Sequence, residues 1–177
     1  MTPAWCVRRL LDVWRPRGTS GILVEPAVGT GNIVRAIGTE PFSWLTYDVR
    51  EVDPVGEMHV TGDFLKACPR RSIDAEAVVT NPPYCLAEEF IRHSRVCFPR
   101  ADLVFLLRIA FLASAARLPL WRDVGTPDLY VLPNRPSFTG HGTDSADYAW
   151  VIWPLEKRER GAVGVLPATP AGERRET

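Results

Sequence analysis

Several features that define other classes of protein are missing from this sequence. No apolar run is long enough to cross a membrane, and the N-terminus lacks the charged-then-apolar pattern of a signal peptide. The 4 cysteines form no C-x-x-C pair and the 3 histidines are scattered, which argues against a zinc site and against a disulfide framework. We therefore expect no metal, no membrane partner and a cytoplasmic location.

The formal net charge is zero, because the 21 basic and 21 acidic residues cancel. A nucleic-acid enzyme can be neutral overall when its basic groups occupy one face, so this balance neither supports nor excludes such a partner. With 177 residues, of which 46% are hydrophobic and 24% charged, the chain fits one globular domain that buries its own core. We find no internal repeat.

Helix-like and strand-like segments follow one another along most of the chain. Their apolar spacing predicts helices over residues 3–14, 33–37, 87–96 and 112–121, and strands over 21–25, 43–48, 58–62, 75–79, 101–108, 128–132 and 146–153. After these elements the composition changes. Residues 155–177 are rich in Arg, Glu, Pro and Gly and offer little to bury, so we expect a domain over residues 1–154 and then a flexible tail.

A glycine-containing loop joins the first predicted strand to a helix. It begins with Glu25 and Pro26 and contains Gly29 and Gly31. Glycines let the backbone approach a ligand closely at such a turn. The third glycine of a dinucleotide-binding fingerprint is missing, so the loop alone is a weak signal, and an ordinary strand-to-helix turn is the alternative.

Acidic residues follow the next two predicted strands. Asp48 stands about twenty residues beyond the glycines, where an acid can accept hydrogen bonds from ribose hydroxyls, although it could also be a loop carboxylate or a helix cap. Asp63 and Phe64 stand at the end of the third strand. Asp63 could equally cap the turn that follows it.

The most informative stretch contains Asn81, Pro82, Pro83 and Tyr84, directly after an apolar, strand-like run. Two consecutive prolines cannot continue a ladder of hydrogen bonds, so the strand ends at Asn81. An amide, a proline carbonyl and an aromatic ring thus lie at the carboxyl end of a strand, where open α/β sheets bind ligands. They offer acceptors for an amino group and a flat surface for a planar one, although a Pro-Pro turn with an Asn cap is the alternative.

These features occur in a fixed order: Thr2 and Pro3, residues 25–31, Asp48, Asp63 with Phe64, and residues 81–84. Together they resemble the gamma-type N6-adenine DNA methyltransferases, which depend on S-adenosylmethionine. The stretch over residues 135–138 and the predicted strand that ends at residue 153 also look like small phage-borne members of that family. The resemblance covers about residues 1–154.

The resemblance implies an α/β fold, a doubly wound class I methyltransferase (Rossmann-like) sheet of about seven strands with the last strand antiparallel. S-adenosylmethionine, the implied cofactor, would lie over the first two strand ends. The residues implied to hold it are Thr2, Glu25, Pro26, Gly29 and Gly31 at its methionine part, Asp48 at the ribose, Asp63 and Phe64 at the adenine, and Asn81 beside the methyl group.

The implied reaction transfers a methyl group to an amino nitrogen whose lone pair is delocalised into a ring. The Asn81 side-chain oxygen and the Pro82 carbonyl would each accept an N–H and free that lone pair. Tyr84, next to Pro83, would stack on the target ring. No strong general base is required, because the proton becomes acidic once the nitrogen is alkylated.

A base taken from a duplex must be flipped out of the helix, and a second aromatic side chain would help to offset that cost. A polar loop over residues 133–144 contains one isolated aromatic residue, Phe138. We expect Phe138 to contact the other face of the target ring, with Tyr130 or Tyr148 as alternatives.

The favoured partner is therefore nucleic acid, specifically DNA. RNA adenine or a protein glutamine amide are alternative substrates, since related families use the same motif, and a non-catalytic partner subunit with this fold is a third possibility. Many members of the family carry a recognition domain of a hundred residues or more. The sequence has no room for one, so we expect a separate recognition subunit.

Overall fold

The computed structural model describes residues 1–18, 20–67, 73–139, 142–155 and 161–175. The α-helices are Ala4–Leu10 (α1), Asn32–Ile37 (α2), Ala87–Cys97 (α3) and Leu118–Val124 (α4). The strands are Gly21–Glu25 (β1), Phe42–Asp48 (β2), Met58–Thr61 (β3), Ala75–Thr80 (β4), Asp102–Arg108 (β5), Asp128–Val131 (β6), Tyr148–Trp153 (β7) and Val163–Val165 (β8). Short 3₁₀ helices are Phe64–Lys66, Tyr84–Leu86, Ile109–Leu112, Ala115–Arg117 and Glu173–Arg175.

The strands form one 8-stranded sheet in the order β3-β2-β1-β4-β5-β7-β6-β8. Strand β7 runs antiparallel to β5 and β6, and the remaining pairs are parallel. The predicted α/β sheet with one antiparallel strand is confirmed. It has one strand more than expected, so the antiparallel strand is followed by β8 instead of being the last.

The order of the strands changes direction between β1 and β4. Strands β2 and β3 lie beyond β1, whereas β5 lies on the other side of β4. Loops that leave the carboxyl ends of such a central pair turn away from each other and leave a crevice, which is the usual ligand site of these sheets. Because β1 ends at Glu25 and β4 ends at Thr80, the glycine loop and Asn81 flank this crevice.

The helix predicted over residues 112–121 begins later than expected. The 3₁₀ turns Ile109–Leu112 and Ala115–Arg117 precede α4, which starts at Leu118. Pro119 lies in the first turn of α4. A proline is tolerated in a first turn but not in the interior of a helix, where it removes a hydrogen bond and clashes with the preceding turn. The proline therefore determines where α4 can begin.

The chain returns to the sheet after β7, where we predicted a flexible tail. Val163–Val165 pair with β6 as β8. Leu166 is 3% exposed and packs into the core, and Thr169 accepts a hydrogen bond from Arg9 Nε at 3.0 Å. These residues of the predicted tail therefore pair with the sheet and pack into the core. The average composition of residues 155–177 concealed this short apolar run.

The cysteines also differ in part from expectation. Cys97 is disulfide-bonded, whereas Cys6 and Cys85 are free. Spacing along the sequence could not predict this bond, because a disulfide requires that two Cα atoms lie close together in the fold.

Within the described ranges, no helix combines the length and the apolar character that a membrane span requires.

Leu166→Ala is expected to lower the free energy of unfolding by about 2 to 5 kcal/mol, the usual cost of truncating a buried leucine. Val163→Thr is the matched control, because it keeps a β-branched side chain at a 76% exposed position of β8 and should change stability by about 0.5 kcal/mol or less. Urea unfolding followed by circular dichroism measures both. An unchanged midpoint for Leu166→Ala would show that this segment contributes nothing to stability.

Candidate active site

The loop after β1 depends on its two predicted glycines. Gly29 has a φ of 53° and Gly31 a φ of 75°, in the left-handed region that side chains disfavour. A Cβ at Gly31 would also stand 2.6 Å from Val55 Cγ2, so this position lacks room for any side chain. The backbone can therefore turn sharply here and run close to the crevice.

Two adjoining clefts open at the carboxyl ends of the strands, with volumes of 490 Å³ and 230 Å³. Arg50 and Asn81 line both clefts, so the clefts meet at these side chains. The predicted site residues in the larger cleft are Pro26, Asp48, Asp63, Phe64, Asn81, Pro82, Pro83, Tyr84 and Phe138. Those in the smaller cleft are Thr2, Glu25, Gly29 and Asn81. Of the residues implied to hold the cofactor, Gly31 alone borders neither cleft, and a Cβ at this position would meet Val55.

Glu25 is a buried acid at the wall of the smaller cleft. Its side chain is at the end of β1 and the residue is 2% exposed. Its Oε2 atom has no hydrogen-bond partner within the part of the chain that the structure describes. Burial, and then the nearby charge of Asp48, raise the pKa of Glu25 well above the ordinary carboxyl range. The site therefore favours an arriving cation or hydrogen-bond donor at this oxygen.

Asn81 is held by the segment that leads into α1. Its Nδ2 donates to Thr2 Oγ1 at 3.0 Å, and the Thr2 carbonyl accepts from Asn32 Nδ2 at 3.0 Å. The bond to Thr2 fixes the amide plane and leaves the other end of the amide, Oδ1, facing away from it. Oδ1 is buried and, among the described residues, accepts no hydrogen bond. Asn81 thus presents a pre-oriented acceptor where the two clefts meet.

Asp48 accepts several hydrogen bonds at the border of the clefts. Its Oδ2 accepts from Gly29 N at 2.9 Å, and its Oδ1 accepts from Arg50 N at 3.0 Å. The Arg50 guanidinium adds bonds from Nε at 3.1 Å and from Nη2 at 3.3 Å. Burial tends to raise the pKa of Asp48, but these bonds, led by the Arg50 side chain, outweigh it and hold the pKa below its usual value. Asp48 is therefore a carboxylate at neutral pH.

Asp63 and Phe64 lie together in the larger cleft. Asp63 Oδ1 accepts from Leu65 N at 3.0 Å and so caps the following 3₁₀ turn, which was the alternative considered for it. The same residue also lines the cleft, so the two roles are compatible. Phe64 is almost fully buried, and its ring packs against Tyr47 and Phe90 at centroid distances of 5.4 Å.

Tyr84 presents an aromatic ring next to Asn81. Its centroid lies 6.3 Å from that of Phe138 with an interplanar angle of 65°, and 5.5 Å from that of Tyr148. The Arg108 guanidinium carbon lies 4.8 Å from the Tyr84 centroid, a cation–π contact. Burial raises the pKa of Tyr84 above the ordinary phenol value, so its hydroxyl stays neutral.

The structure separates the three aromatic residues considered for the second face of a target ring. Phe138 is half-buried and lines the larger cleft. Tyr148 is fully buried, and its hydroxyl donates to Asp144 Oδ2 at 3.0 Å and accepts from Arg108 Nε at 3.1 Å. Tyr130 borders a different cleft. Phe138 is therefore the candidate whose position suits that role.

Three charged residues around the clefts were missed from sequence alone: Arg50, Arg108 and Asp144. Arg108 ends β5 at the same sheet edge as Asn81, so its place after a buried strand was a usable signal. Arg50 and Asp144 lie outside the helices and strands, and nothing in their local sequence marks them.

Comparisons with known proteins find similarity in structure only. No protein-family model and no curated protein matches the sequence. A candidate class I S-adenosylmethionine-dependent methyltransferase from Listeria monocytogenes superposes with a TM-score of 0.67 at 14% identity, over 94% of this chain and 65% of that one. A modification subunit of a candidate type I restriction enzyme from Vibrio vulnificus gives 0.68 at 13%, over 98% and 48%. The 23S rRNA methyltransferase ErmE gives 0.59 at 14%, over 88% and 69%.

The chain therefore spans less than two thirds of the length of the Listeria and Vibrio proteins, 65% and 48% respectively. Identities of 13 and 14% describe a shared architecture and leave activity and substrate open. The sheet order with its antiparallel β7 and the crevice between β1 and β4 agree with that architecture. This chain has the Rossmann-like fold of class I S-adenosylmethionine-dependent methyltransferases.

Proposed function

We propose that this protein binds S-adenosylmethionine and transfers its methyl group to the N6 amino group of adenine in DNA. The observation that carries the proposal is Asn81 Oδ1, a buried acceptor that no described residue satisfies, beside the ring of Tyr84. A buried acceptor costs stability unless a ligand donates to it. An amino group on a flat ring would satisfy the oxygen and cover the aromatic surface together.

The residues present fit the proposed cofactor. Glu25 offers its unpaired Oε2 to the ammonium of the methionine part, Asp48 offers a carboxylate to the ribose, and Asp63 with Phe64 offers an acceptor and an apolar edge to the adenine. These groups follow one another across the two clefts, as an elongated ligand requires. When bound, the cofactor supplies an activated methyl group on a sulfonium sulfur.

The chain's own contribution to the reaction is to prepare the acceptor nitrogen. Asn81 Oδ1 accepts one N–H of the target amino group, and the Pro82 carbonyl accepts the other. Both bonds favour a pyramidal nitrogen whose lone pair points out of the ring plane. Each should contribute about 1.5 to 3 kcal/mol as positive charge develops on the nitrogen. Tyr84 holds the ring by stacking, so that the nitrogen faces the cofactor.

DNA is preferred as the substrate for two reasons. The motif at residues 81–84 resembles that of enzymes that modify adenine in DNA, and one structural neighbour is a modification subunit of a restriction enzyme. RNA adenine is the second candidate, because another neighbour is a 23S rRNA methyltransferase. Since that neighbour is one subunit of a restriction enzyme, we further propose that a separate subunit provides sequence recognition.

Asn81→Ala is expected to reduce methylation about 10- to 150-fold, the value of one hydrogen bond of 1.5 to 3 kcal/mol in the transition state, while cofactor affinity is largely retained. The protein is incubated with S-adenosylmethionine and duplex DNA, single-stranded DNA or RNA. Nucleoside mass spectrometry then quantifies N6-methyladenosine and its deoxy form.

Asn134→Ala is the matched control for this experiment, because Asn134 bonds the backbone of Thr169 away from both clefts. It should methylate at the normal rate. If Asn81→Ala lost cofactor affinity but kept turnover, Asn81 would be a cofactor ligand without a role in catalysis. If the unchanged protein bound the cofactor and methylated no nucleoside, the proposed substrate would be wrong.

Phe138→Ala is expected to reduce methylation of duplex DNA more than that of single-stranded DNA, because the ring stabilises a flipped base and only duplex DNA must flip one. The rings of Phe138 and Tyr84 now meet edge to face, so Phe138 has to turn before a base can lie between them. Phe111→Ala, at an aromatic pair with Trp121 outside the clefts, is the control. Equal losses on the two substrates would rule out this role.

Glu25→Gln tests the buried acid through stability as well as binding. The folded protein raises the pKa of Glu25 above the ordinary value of 4.5, so the folded state binds its proton more tightly than the unfolded state does. Stability must then fall as pH rises from that value through the raised pKa. Gln cannot ionise, so Glu25→Gln should gain melting temperature relative to the unchanged protein between pH 5 and pH 8.

The same variant should be stabilised less by S-adenosylmethionine, because the Glu25 carboxyl group can ionise to pair with the ammonium, whereas Gln cannot. Thermal unfolding across the pH range, with and without cofactor, measures both effects. Glu89→Gln, at an exposed position of α3, is the control and should show neither. A constant difference in melting temperature between pH 5 and pH 8 would mean that Glu25 titrates normally.

A further inference from the structure

Every acceptor site of the Asp48 carboxylate is occupied. Oδ1 accepts from Arg50 N at 3.0 Å and Arg50 Nε at 3.1 Å, and Oδ2 accepts from Gly29 N at 2.9 Å and Arg50 Nη2 at 3.3 Å. An ionised carboxylate has about four lone-pair sites, two on each oxygen. Asp48 as it stands therefore has no capacity for a ligand hydroxyl.

The four bonds fall into two kinds. Two come from backbone N–H groups, one to each oxygen, and these hold the carboxylate in place. The other two come from the Arg50 guanidinium, again one to each oxygen. Removing the guanidinium would free one acceptor site on each oxygen, with the orientation of the carboxylate unchanged. Two adjacent free sites match the two hydroxyls of a vicinal diol.

The Arg50 side chain is able to leave. It is 70% exposed, whereas the Asp48 side chain is 6% exposed, so the carboxylate is fixed and the guanidinium reaches it from the solvent side. Exposed ion pairs are weak, because water and salt replace them readily. Arg50 also lines both clefts, so a ligand that spans the clefts must pass this side chain.

We propose that the Arg50 guanidinium is a placeholder for a ribose diol: it saturates Asp48 in the ligand-free site and is displaced when both hydroxyls of the ligand bind. The inference rests on the proposed function, because it takes the ribose of an S-adenosyl ligand to Asp48. Arg50 is accordingly a competitor of the cofactor and sets the affinity and the diol requirement of the site.

The test is isothermal titration calorimetry with S-adenosylhomocysteine as the probe. Arg50→Met removes the two competing bonds and keeps the length of the side chain. It should bind the probe about two- to fivefold tighter than the unchanged protein, the range that exposed ion pairs span. The difference should narrow in 1 M salt, where that ion pair is already screened. Arg50→Lys keeps the charge without the two-pronged geometry and should fall between the two.

Arg92→Met is the matched control, since Arg92 pairs with Glu88 and Asp123 outside both clefts. It should bind the probe as the unchanged protein does. A 2′-deoxy analogue of the probe separates the diol from other contacts. It displaces only one prong, so the acceptor that lacks a hydroxyl stays paired with Arg50 in the unchanged protein and is left unpaired in Arg50→Met. Its disadvantage relative to S-adenosylhomocysteine should therefore be smaller in the unchanged protein than in Arg50→Met.

Each outcome decides between the two proposals. Equal or weaker binding of S-adenosylhomocysteine to Arg50→Met, with normal binding to the unchanged protein, overturns the placeholder role alone. An absence of binding to both proteins overturns the proposed cofactor and this inference with it. Tighter binding to Arg50→Met but not to Arg92→Met supports both.

Discussion

The parallel pairing of β1 with β4 is the constraint on which the site depends. The sheet grows outward from this pair in two directions, so the loops that follow the two strands diverge. Glu25 ends one strand and Asn81 follows the other, which brings a buried acid and a buried amide oxygen to the same cleft. Other parts of the site are attached to this pair. The α1 leader bonds to Asn81 through Thr2, and β2 bonds to the glycine loop through Asp48.

Two unsatisfied acceptor atoms lie at this crevice. Glu25 Oε2 and Asn81 Oδ1 are both buried and lack hydrogen-bond partners among the described residues. Such groups usually cost a folded protein about 1 to 3 kcal/mol each. Asp48 shows the opposite arrangement, in which an exposed side chain of the protein, that of Arg50, supplies the donors. The site thus contains two acceptor atoms, Glu25 Oε2 and Asn81 Oδ1, that no described residue satisfies. It also contains one carboxylate, that of Asp48, whose acceptor sites Arg50 fills in the ligand-free protein.

How much the sequence predicts depends on whether the signal is local. The glycine loop and the Asn81 strand end follow from backbone chemistry, because only certain residues adopt positive φ or stop a ladder, and both were predicted correctly in position. A continuous apolar run in the sequence predicted the buried strand β5. Strand β8 is too short for a periodic pattern. Tyr84 and Phe138 lie on distant segments, so their pairing could not follow from spacing, and Phe138 was predicted from its isolation in a polar loop. Arg50 was missed because it reaches the site only through the conformation of its side chain, which its residue type and its position in the sequence do not predict.

The C-terminal segment also affects how the fold can be shortened. Strand β6 is covered on one side by β7 and on the other by β8, with the backbone of Leu166 bonded to Val131. A version of the protein that ended with β7 would leave the outer backbone groups of β6 without partners. An uncovered strand of this kind is a template for pairing with another molecule. An expression fragment that ended at β7, with its end chosen only by similarity to known structures, would therefore be prone to self-association along the exposed edge of β6.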